Sequence, residues 1–497
     1  MPFDPAAPAA ATPGAVGMTD ENLARRLAKL QSILDVAKAM TAERQLDRLL
    51  ALVVDEAAKV AEADRCTLFL ADREKGELWS KVAHGTKTIR VPLGAGIVGA
   101  VAASGTPVRI DDAYSDARFN REVDRGTGYR TSTILAVPMR NTKGDVVGVL
   151  QALNRREGTF TAEDEELLGA LAGPAASAIE NAVLNEEIER LFEGFVQAAV
   201  VAIEQRDPTT AGHSGRVAVL TCALARAVEK APPAPWRGVA FDAASLQQIR
   251  YAALLHDFGK VGVRENVLVK AEKLHPHELE LVRARFDVAR AGLETERLRA
   301  RLEGRPDAAV VERQRELDAL WEVIAAANRP TVLPAEASAR LAALAGMTFV
   351  DPRGAEKPLV TPFELSCLSI PKGSLSEAER KEIEGHVTHT YRFLSQIPWT
   401  RALRRIPEIA WGHHEKLDGR GYPRGVPANA IAVETRMMTI SDIFDALTAS
   451  DRPYKKALPL EKALDILADE ARRGQIDAPL LGVFVEAGVW RETARGA

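Results

Sequence analysis

The sequence predicts a multi-domain protein in which an α+β domain precedes an all-α domain. The 497 residues exceed what one core usually holds, since domains commonly have about 100 to 200 residues. Short apolar or alternating segments bounded by Gly, Asp and Asn lie between positions 66 and 150, which is typical of strands. From position 196 onward, apolar residues recur mostly at helical spacing.

The first domain begins with the pattern of an amphipathic helix between Leu23 and about Val60. A further helix should begin near Ala162, because Thr161 is a suitable N-cap and three acidic residues follow it. If that helix is continuous past Pro174, a displacement at one end must appear at the other, so the helix can transmit a signal. The alternative is that the helix is only a spacer packed in a dimer. We place this connecting helix at residues 165–204. The strand predictions between these helices are Cys66 to Leu70, Leu78 to Ala83, Val108 to Ile110, Ile134 to Pro138 and Val146 to Leu150.

The composition excludes several classes of protein. Hydrophobic residues make up 46% and charged residues 27%, so wholesale disorder is excluded. A net charge of −4 gives no basic field for DNA, and no nucleic-acid partner is expected. Three scattered cysteines, Cys66, Cys222 and Cys367, favour neither a disulfide framework nor a thiolate metal site.

The chain shows no sign of export or membrane insertion. Its first 20 residues lack a basic region and an apolar core, and residues 1–25 read as a flexible tail. The Ala-rich stretch after Leu167 is interrupted by Pro174, Glu180 and Asn181, so no long apolar run is present. We expect a cytoplasmic protein without a membrane partner.

Histidines and carboxylates recur at several points of the second domain. His256 and Asp257 are adjacent after an apolar helical run, and Lys260 follows at a spacing that shares their helix face. Imidazole and carboxylate ligands favour iron, manganese, zinc or a similar divalent ion. Two such ions lower the pKa of a water and clamp a phosphodiester, which makes phosphate-ester hydrolysis the natural chemistry. The other members of the set are His213, His386, His413, His414 and Asp442.

These motifs resemble the HD-GYP domain, a branch of the HD metal phosphohydrolases. The matching segments are HDFGK at 256–260, His386, HHEKLDGRGYPRG at 413–425 and SDIFDALTASDRPYKK at 441–456. The resemblance covers residues 190–491 and implies an all-α fold that hydrolyses cyclic di-GMP to linear pGpG and, in some members, to GMP. A helical insertion at residues 278–362 separates the motifs; its charged first part, from Glu278 to about Pro330, fits a hairpin of two helices.

The resemblance also implies roles for single residues. Asp257 and Lys260 would be catalytic, and Asp257 would bridge two ions, most often iron or manganese. A third ion requires a Glu where this chain has Thr209, which favours two ions. The metal ligands would be His213, His256, Asp257, His386, His413, His414 and Asp442, and the substrate-binding residues Lys260, Tyr422, Arg452 and Lys455.

Residues 26–185 resemble a GAF sensor domain. The segment 110–139 is similar to the pocket lining of cyclic-nucleotide-binding GAF domains, and Asn154, Arg155, Phe160, Asp164 and Glu165 match their NKxnFxxxDE signature, with Arg replacing Lys. The Arg can pair with Asp164, even as a bidentate fork. This resemblance implies cAMP or cGMP as ligand; a GAF domain that only dimerises is the alternative. The implied pocket residues are Cys66, Asp124, Thr127 and Thr131.

Together, these resemblances describe a bacterial signalling enzyme, which we expect to be a homodimer and to work with a diguanylate cyclase partner. Two other functions remain open. The HD-GYP fold can sense a cyclic dinucleotide or dock a partner without turnover, or it can hydrolyse another cyclic dinucleotide.

Overall fold

The computed structural model describes residues 20–80, 89–207, 211–231, 239–449 and 457–494, apart from the side chains of residues 20–26, 127 and 494. The chain folds as two compact units, Met1–Glu193 and Gly194–Ala497. The predicted fold class, an α+β domain followed by a helical one, is confirmed.

The first unit is built on a six-stranded antiparallel sheet with the strand order β3-β2-β1-β6-β5-β4. The central strands β1 and β6 are buried on both faces of the sheet. Leu68 belongs to the core on one face, and Val149 belongs to the core on the other. The strands are β1 (Ala63–Asp72), β2 (Glu77–Ser80), β3 (Ile89–Pro92), β4 (Val108–Ile110), β5 (Ile134–Arg140) and β6 (Val146–Arg155).

Helices cover both faces of this sheet. One core forms where the apolar stripe of the second helix, including Leu49, Val53 and Ala57, packs with the sheet and the long fifth helix. A second core, which includes Ile97 and Val101 of the third helix, lies on the other face. The helices are α1 (Asp20–Ala42), α2 (Leu46–Val60), α3 (Gly96–Ser104), α4 (Arg121–Thr127) and α5 (Ala162–Arg206), with a 3₁₀ turn at Ala113–Ser115.

All five predicted strands are present, although residues 81–83 of the second prediction lie outside the described residues. The single helix predicted between Leu23 and Val60 is wrong in one respect, because it is interrupted between Ala42 and Leu46. There the Glu43 carboxylate accepts a hydrogen bond from the Gln45 N–H at 2.9 Å, which offers the backbone an alternative to the helical bond. Strand β3 and helix α3 were not predicted.

Helix α5 is 45 residues long and begins where its cap predicts. The Thr161 hydroxyl accepts a hydrogen bond from the Asp164 N–H at 3.2 Å. Among the described residues, α5 is the one helix that is long and apolar enough to cross a membrane, although it contains Pro174. Half of that apolar window is buried, and Leu168 and Leu171 lie fully buried in the core of the first unit, as in a core helix.

The second unit is helical, and its main core joins helices from both ends of the unit. A 3₁₀ segment, Phe258–Gly262, follows His256 and Asp257 and is important for the site. A further 3₁₀ turn lies at Ala428–Ala430. The helices outside the predicted insertion are α6 (His213–Lys230), α7 (Ala243–Leu255), α8 (Glu265–Leu268), α13 (Glu377–Glu384), α14 (His386–Leu394), α15 (Ile406–Trp411), α16 (Val433–Thr448), α17 (Leu460–Arg472), α18 (Ala478–Glu486) and α19 (Arg491–Ala494).

The region of the predicted insertion shares a hydrophobic core with its flanking residues Leu274 and Leu368, and this core includes Phe286, Ile324 and Leu341. The predicted helical hairpin is confirmed, since Arg290 of its first helix bonds Asp318 of the second at 2.7 Å. A small β-hairpin within the region was not predicted. The elements are α9 (Pro276–Leu302), α10 (Ala308–Ala327), α11 (Ala335–Ala343), β7 (Thr348–Val350), β8 (Glu356–Pro358) and α12 (Pro362–Leu368).

Candidate metal centre

Three histidines of the second unit are held in the same tautomer by the same backbone contact. In each, Nδ1 lies within hydrogen-bond distance of the carbonyl oxygen three residues earlier, at 2.7 Å in both His256 and His413. A carbonyl only accepts hydrogen bonds, so Nδ1 carries the proton and Nε2 carries a lone pair. The third member is His386.

These three Nε2 atoms are buried and make no hydrogen bond. A buried acceptor without a partner is costly, and an imidazole fixed by a carbonyl at Nδ1 is the usual form of a metal ligand. Burial, together with the neighbouring His414, holds the pKa of His413 well below its ordinary value. Burial also lowers the pKa of His414 to about 3, so both rings stay neutral and able to bind a cation.

The structure brings all seven predicted metal ligands together, and we call them the ligand cluster. Their donor atoms form three overlapping groups, and within each group the atoms lie within 4.8 Å of one another. The groups are His386, His413 and His414; His213, His256 and Asp257; and His256, His413 and Asp442.

The Asp257 carboxylate lies between two parts of the cluster. Its Oδ2 is 3.4 Å from His256 Nε2, and its Oδ1 is 3.2 Å from His386 Nε2. Asp442 Oδ1 is 3.1 Å from His213 Nε2. Two donors bound to one ion at about 2.1 Å stand roughly 3 to 3.5 Å apart, so these spacings suit ligands that share an ion. The residues therefore fit a site for divalent metal.

His213 is oriented by a residue that the sequence analysis missed. Its Nδ1 is 2.8 Å from Asp445 Oδ2, and Arg216 bonds the other oxygen of that carboxylate at 2.7 Å. Burial lowers the pKa of His213, but Asp442 and Asp445 outweigh it and raise the value to about 9. Asp445 follows Asp442 by three positions on one helix, which is the signal that could have identified it.

Lys260 contacts the ligand cluster directly through Asp257. Its ammonium is 2.9 Å from Asp257 Oδ2 and 3.0 Å from Asp207 Oδ2. Burial disfavours the charged lysine, but these two carboxylates outweigh it and raise its pKa. Burial also disfavours ionised Asp257, yet Lys260 and His256 hold the pKa of that carboxyl well below its usual range. The sequence analysis missed Asp207.

The segment that carries Asp257 is locked against helix α14. The Gly259 N–H donates to the Thr390 hydroxyl at 2.8 Å, and this hydroxyl donates to the His256 carbonyl at 2.9 Å. The two backbones approach so closely that a Cβ on Gly259 would lie 1.9 Å from the His386 carbonyl oxygen. Glycine is required here by space, and Thr390 fixes His256 relative to His386.

The loop after the double histidine is organised by Glu415. This buried carboxylate accepts hydrogen bonds from the Arg424 N–H at 2.8 Å and the Val426 N–H at 3.2 Å. Tyr422 is placed over His414, with ring centroids 4.8 Å apart. Gly421 passes so close to Glu415 that a Cβ would lie 2.5 Å from its Cα. Glu415 therefore shapes the loop that carries Tyr422, the residue that the resemblance assigns to the substrate.

Other histidines of the second unit are not in this cluster. His275 and His277 stack on each other at 5.8 Å, and His389 adjoins Gly262 with its Nδ1 buried and without a hydrogen-bond partner. The remaining residues, Arg452, Lys455, Thr209 and His84, lie outside the described residues.

The first unit contains a cavity of about 730 Å³. Its lining includes Cys66, Asp124 and Thr131, whereas the side chain of Thr127 is not described. The Asp124 carboxylate accepts hydrogen bonds from the Thr131 N–H at 2.7 Å and from its hydroxyl at 2.8 Å. Burial raises the pKa of the Cys66 thiol to about 12, so this cysteine acts as a neutral wall residue.

Asn154, the first residue of the GAF signature, holds the segment next to Thr131 of the cavity wall. Asn154 accepts a hydrogen bond from the Ser132 N–H at 2.6 Å and donates one to the Arg130 carbonyl at 2.8 Å. The predicted pair of Arg155 and Asp164 forms at 2.8 Å through one nitrogen. The bidentate fork is wrong, because the other two guanidinium nitrogens contact Glu62 and the Glu157 carbonyl.

Comparison with protein families agrees with both units. Residues 45–179 match the model of the GAF domain, and residues 307–480 match that of the HD domain. The HD match includes His386, the double histidine and Asp442. It begins after His213, His256 and Asp257, which the fold brings to the same cluster.

Two curated relatives are cyclic-nucleotide phosphodiesterases by name. "Probable 3',5'-cyclic phosphodiesterase pde-5" of Caenorhabditis elegans is 34% identical over 185 residues, which are 34% of this chain and 25% of the relative. The "3'3'-cGAMP-specific phosphodiesterase 3" of Vibrio cholerae is 45% identical over 97 residues, 20% of each chain. The chain thus spans a quarter or less of the length of these relatives.

Solved GAF domains resemble part of the chain. That of a phosphoenolpyruvate-protein phosphotransferase from Coxiella burnetii is 23% identical, with a TM-score of 0.30, and the comparison covers 33% of this chain and 98% of that domain. On the two family matches, the chain contains a GAF domain followed by a domain of the HD family.

Proposed function

We propose that the HD domain is of the HD-GYP type and hydrolyses cyclic di-GMP to linear pGpG, with iron or manganese as its two ions. The observation that supports this best is the set of three buried Nε2 atoms, in His256, His386 and His413, which lack a hydrogen-bond partner and converge around Asp257. A pair of divalent ions, when bound, supplies charge to activate a water and to stabilise a phosphodiester.

The protein groups divide the remaining work. The histidines and both aspartates supply neutral and anionic donors in a buried site, where charge is strongly felt. Lys260 neutralises part of the carboxylate charge, and its position beside Asp257 suits an ammonium that also meets a phosphate oxygen. Tyr422 covers His414 and presents an aromatic wall toward the cluster, where a base of the substrate can lie.

A second substrate has its own support. One relative is named for 3'3'-cGAMP, which differs from cyclic di-GMP in one base. The chemistry at phosphorus is the same for both, so the ligand cluster does not distinguish them. A cyclic dinucleotide sensor without turnover is the third candidate, and the presence of every predicted metal ligand argues against it.

Product analysis tests this proposal. The full chain, loaded anaerobically with Fe²⁺ or Mn²⁺, is incubated with cyclic di-GMP and, separately, with 3'3'-cGAMP, and the products are separated by chromatography. We expect linear pGpG as the product. We expect Asp257→Ala to reduce turnover more than about 100-fold, which is more than the loss of a residue that only hydrogen-bonds a metal ligand usually causes. Asp465→Asn, which removes an exposed carboxylate of α17, is the matched control. Equal turnover by Asp257→Ala contradicts the assignment.

We also propose that the GAF cavity binds cAMP or cGMP. The cavity volume suits a mononucleotide, since ligand pockets commonly measure about 300 to 1,000 Å³. Asp124 and Thr131 supply a carboxylate and a hydroxyl at its wall.

Calorimetric titration of the full chain with each nucleotide tests this second proposal. Asp124→Ala should weaken binding about 10-fold or more, because it removes a buried charged acceptor. Asp111→Asn, at an exposed position nearby in sequence, should bind like the parent. Absence of heat with both nucleotides would leave the dimerising GAF domain as the better description.

A further inference from the structure

The end of helix α5 is linked to the ligand cluster through Lys260. Asp207 directly follows the helix, and its N–H still donates to the Ile203 carbonyl at 2.9 Å in the helical pattern. Its side chain is 3% exposed and accepts a hydrogen bond from the Lys260 ammonium at 3.0 Å. The same ammonium lies 2.9 Å from Asp257 Oδ2. A single lysine therefore joins the helix end to the carboxylate at the centre of the site.

A second contact fixes the same helix end. Arg206 donates a hydrogen bond to the Val263 carbonyl at 2.9 Å. Lys260 lies within the 3₁₀ segment Phe258–Gly262, Val263 follows it, and Asp257 precedes it. The helix end thus holds this segment at two points, and the orientation of Asp257 depends on both.

The geometry points to Asp207 as a positioning residue that sets the metal affinity of Asp257, an inference that rests on the proposed function. Lys260 and a metal ion compete for the lone pairs of Asp257, because both are cations that bind a carboxylate oxygen. Asp207 shares the ammonium and so leaves more negative charge on Asp257 for the ion. When Asp207 withdraws, Lys260 pairs with Asp257 alone and the ion binds less tightly.

The position of Asp207 gives this contact a regulatory consequence. Because the residue continues α5, a displacement of that helix end lengthens the contact between Asp207 and Lys260 and lowers the metal affinity. The contacts that carry this effect are those of Arg206 with Val263 and of Asp207 with Lys260. The metal site is then sensitive to the state of the connecting helix.

Mn²⁺ titration of the metal-free full chain tests the inference. We expect Asp207→Asn to bind Mn²⁺ about 10-fold more weakly than the parent, the usual scale for a residue behind a metal ligand. Glu434→Gln is the matched control: Glu434 is 8% exposed and pairs with Arg405 at 2.6 Å, so the variant loses the same charge from a buried carboxylate that pairs with a cation. Its Mn²⁺ affinity should equal that of the parent. Circular dichroism of the metal-free variants checks that each is folded.

A double-mutant cycle separates the route through Lys260 from a general charge effect. In a Lys260→Met background, Asp207→Asn should change Mn²⁺ affinity less than about two-fold. A 10-fold loss in that background, or no loss in the parent background, overturns the inference. If Asp207→Asn does not fold, Asp207→Ala in the parent and in the Lys260→Met background provides the same comparison. A parent chain that binds no Mn²⁺ contradicts the proposed function instead.

Discussion

A single carboxylate fixes which nitrogen of His213 is left for a cation. Asp445 accepts a hydrogen bond from Nδ1–H, which leaves Nε2, 3.1 Å from Asp442 Oδ1, as the nitrogen that can bind a metal ion. The other three fixed imidazoles use backbone carbonyls for the same purpose. His213 is therefore the ligand whose tautomer depends most directly on a side chain.

We predict that Asp445→Asn weakens metal binding about 10-fold, because a neutral amide orients His213 less firmly and makes its ring less basic. The measurement is metal content after dialysis against a graded chelator. Asp477→Asn serves as the control, since Asp477 is also buried and pairs with an arginine, Arg436, at 3.0 Å. Retention of metal by Asp445→Asn at the parent level would show that the backbone alone orients His213.

Individual ligands could be predicted from the sequence because each lies in a short motif whose residue types already indicate metal chemistry. The pairs that residues of the site form with Asp445 and Asp207 could not be predicted, because the contacts join positions far apart in the chain. Asp445 meets His213 across 232 positions, and Asp207 meets Lys260 across 53. Such pairs depend on how helices pack, which local spacing does not specify.

At the scale of elements, the site depends on the close approach of the Phe258–Gly262 segment to helix α14. Thr390 bonds both His256 and Gly259, so one hydroxyl connects the two elements. Their spacing sets the distance between His256 and His386, which both contact Asp257. A change of spacing here alters both halves of the ligand cluster.

We predict that Gly259→Ala destabilises the HD domain by about 1 to 3 kcal/mol or prevents its folding, as overpacking does, since the new Cβ would meet backbone atoms that cannot move aside. Gly292→Ala is the control: Gly292 lies within helix α9, where an added Cβ would have nothing within 4 Å, and alanine should stabilise that helix by about 0.5 to 1 kcal/mol. Urea unfolding followed by tryptophan fluorescence measures both. Parent-like stability of Gly259→Ala would contradict the packing argument.

Elements with a strong periodic pattern could be predicted, whereas short ones could not. Strand β6 and the start of helix α5 follow directly from apolar alternation and from Thr161. Strand β3 has four residues at the sheet edge, too few to show a period. Helix α3 is apolar nearly all round, so it carries no amphipathic signal.

At the scale of the whole molecule, the ligand cluster draws on residues within and before the range of the HD family match. The family match begins at Asp307, inside the region of the proposed insertion, although His213 and Asp257 precede it. Most of a second hydrophobic core lies in the region of the proposed insertion, and the motifs on either side of this region still meet in space. The short motifs therefore predicted three members of the ligand cluster, His213, His256 and Asp257, that lie before the range of the family match.

This organisation predicts that metal stabilises one domain and leaves the other unchanged. The ligand cluster lies wholly in residues 194–497, and its buried, unpartnered Nε2 atoms destabilise the metal-free fold. An ion that binds only the folded state adds about 2.7 kcal/mol when present at 100 times its Kd. Calorimetric scans of the full chain should therefore show the HD transition rising with Mn²⁺ and falling with a chelator.

The GAF transition and the Asp257→Ala chain provide the two references for this experiment. The GAF transition should stay at one temperature, because its cavity is lined with no comparable set of imidazoles among the described residues. In Asp257→Ala, the carboxylate that lies within 3.4 Å of His256 Nε2 and 3.2 Å of His386 Nε2 is gone, so the HD transition should respond far less to Mn²⁺. A Mn²⁺ shift of equal size in parent and variant would mean that the ion binds elsewhere, and the two-ion geometry around Asp257 would have to be abandoned.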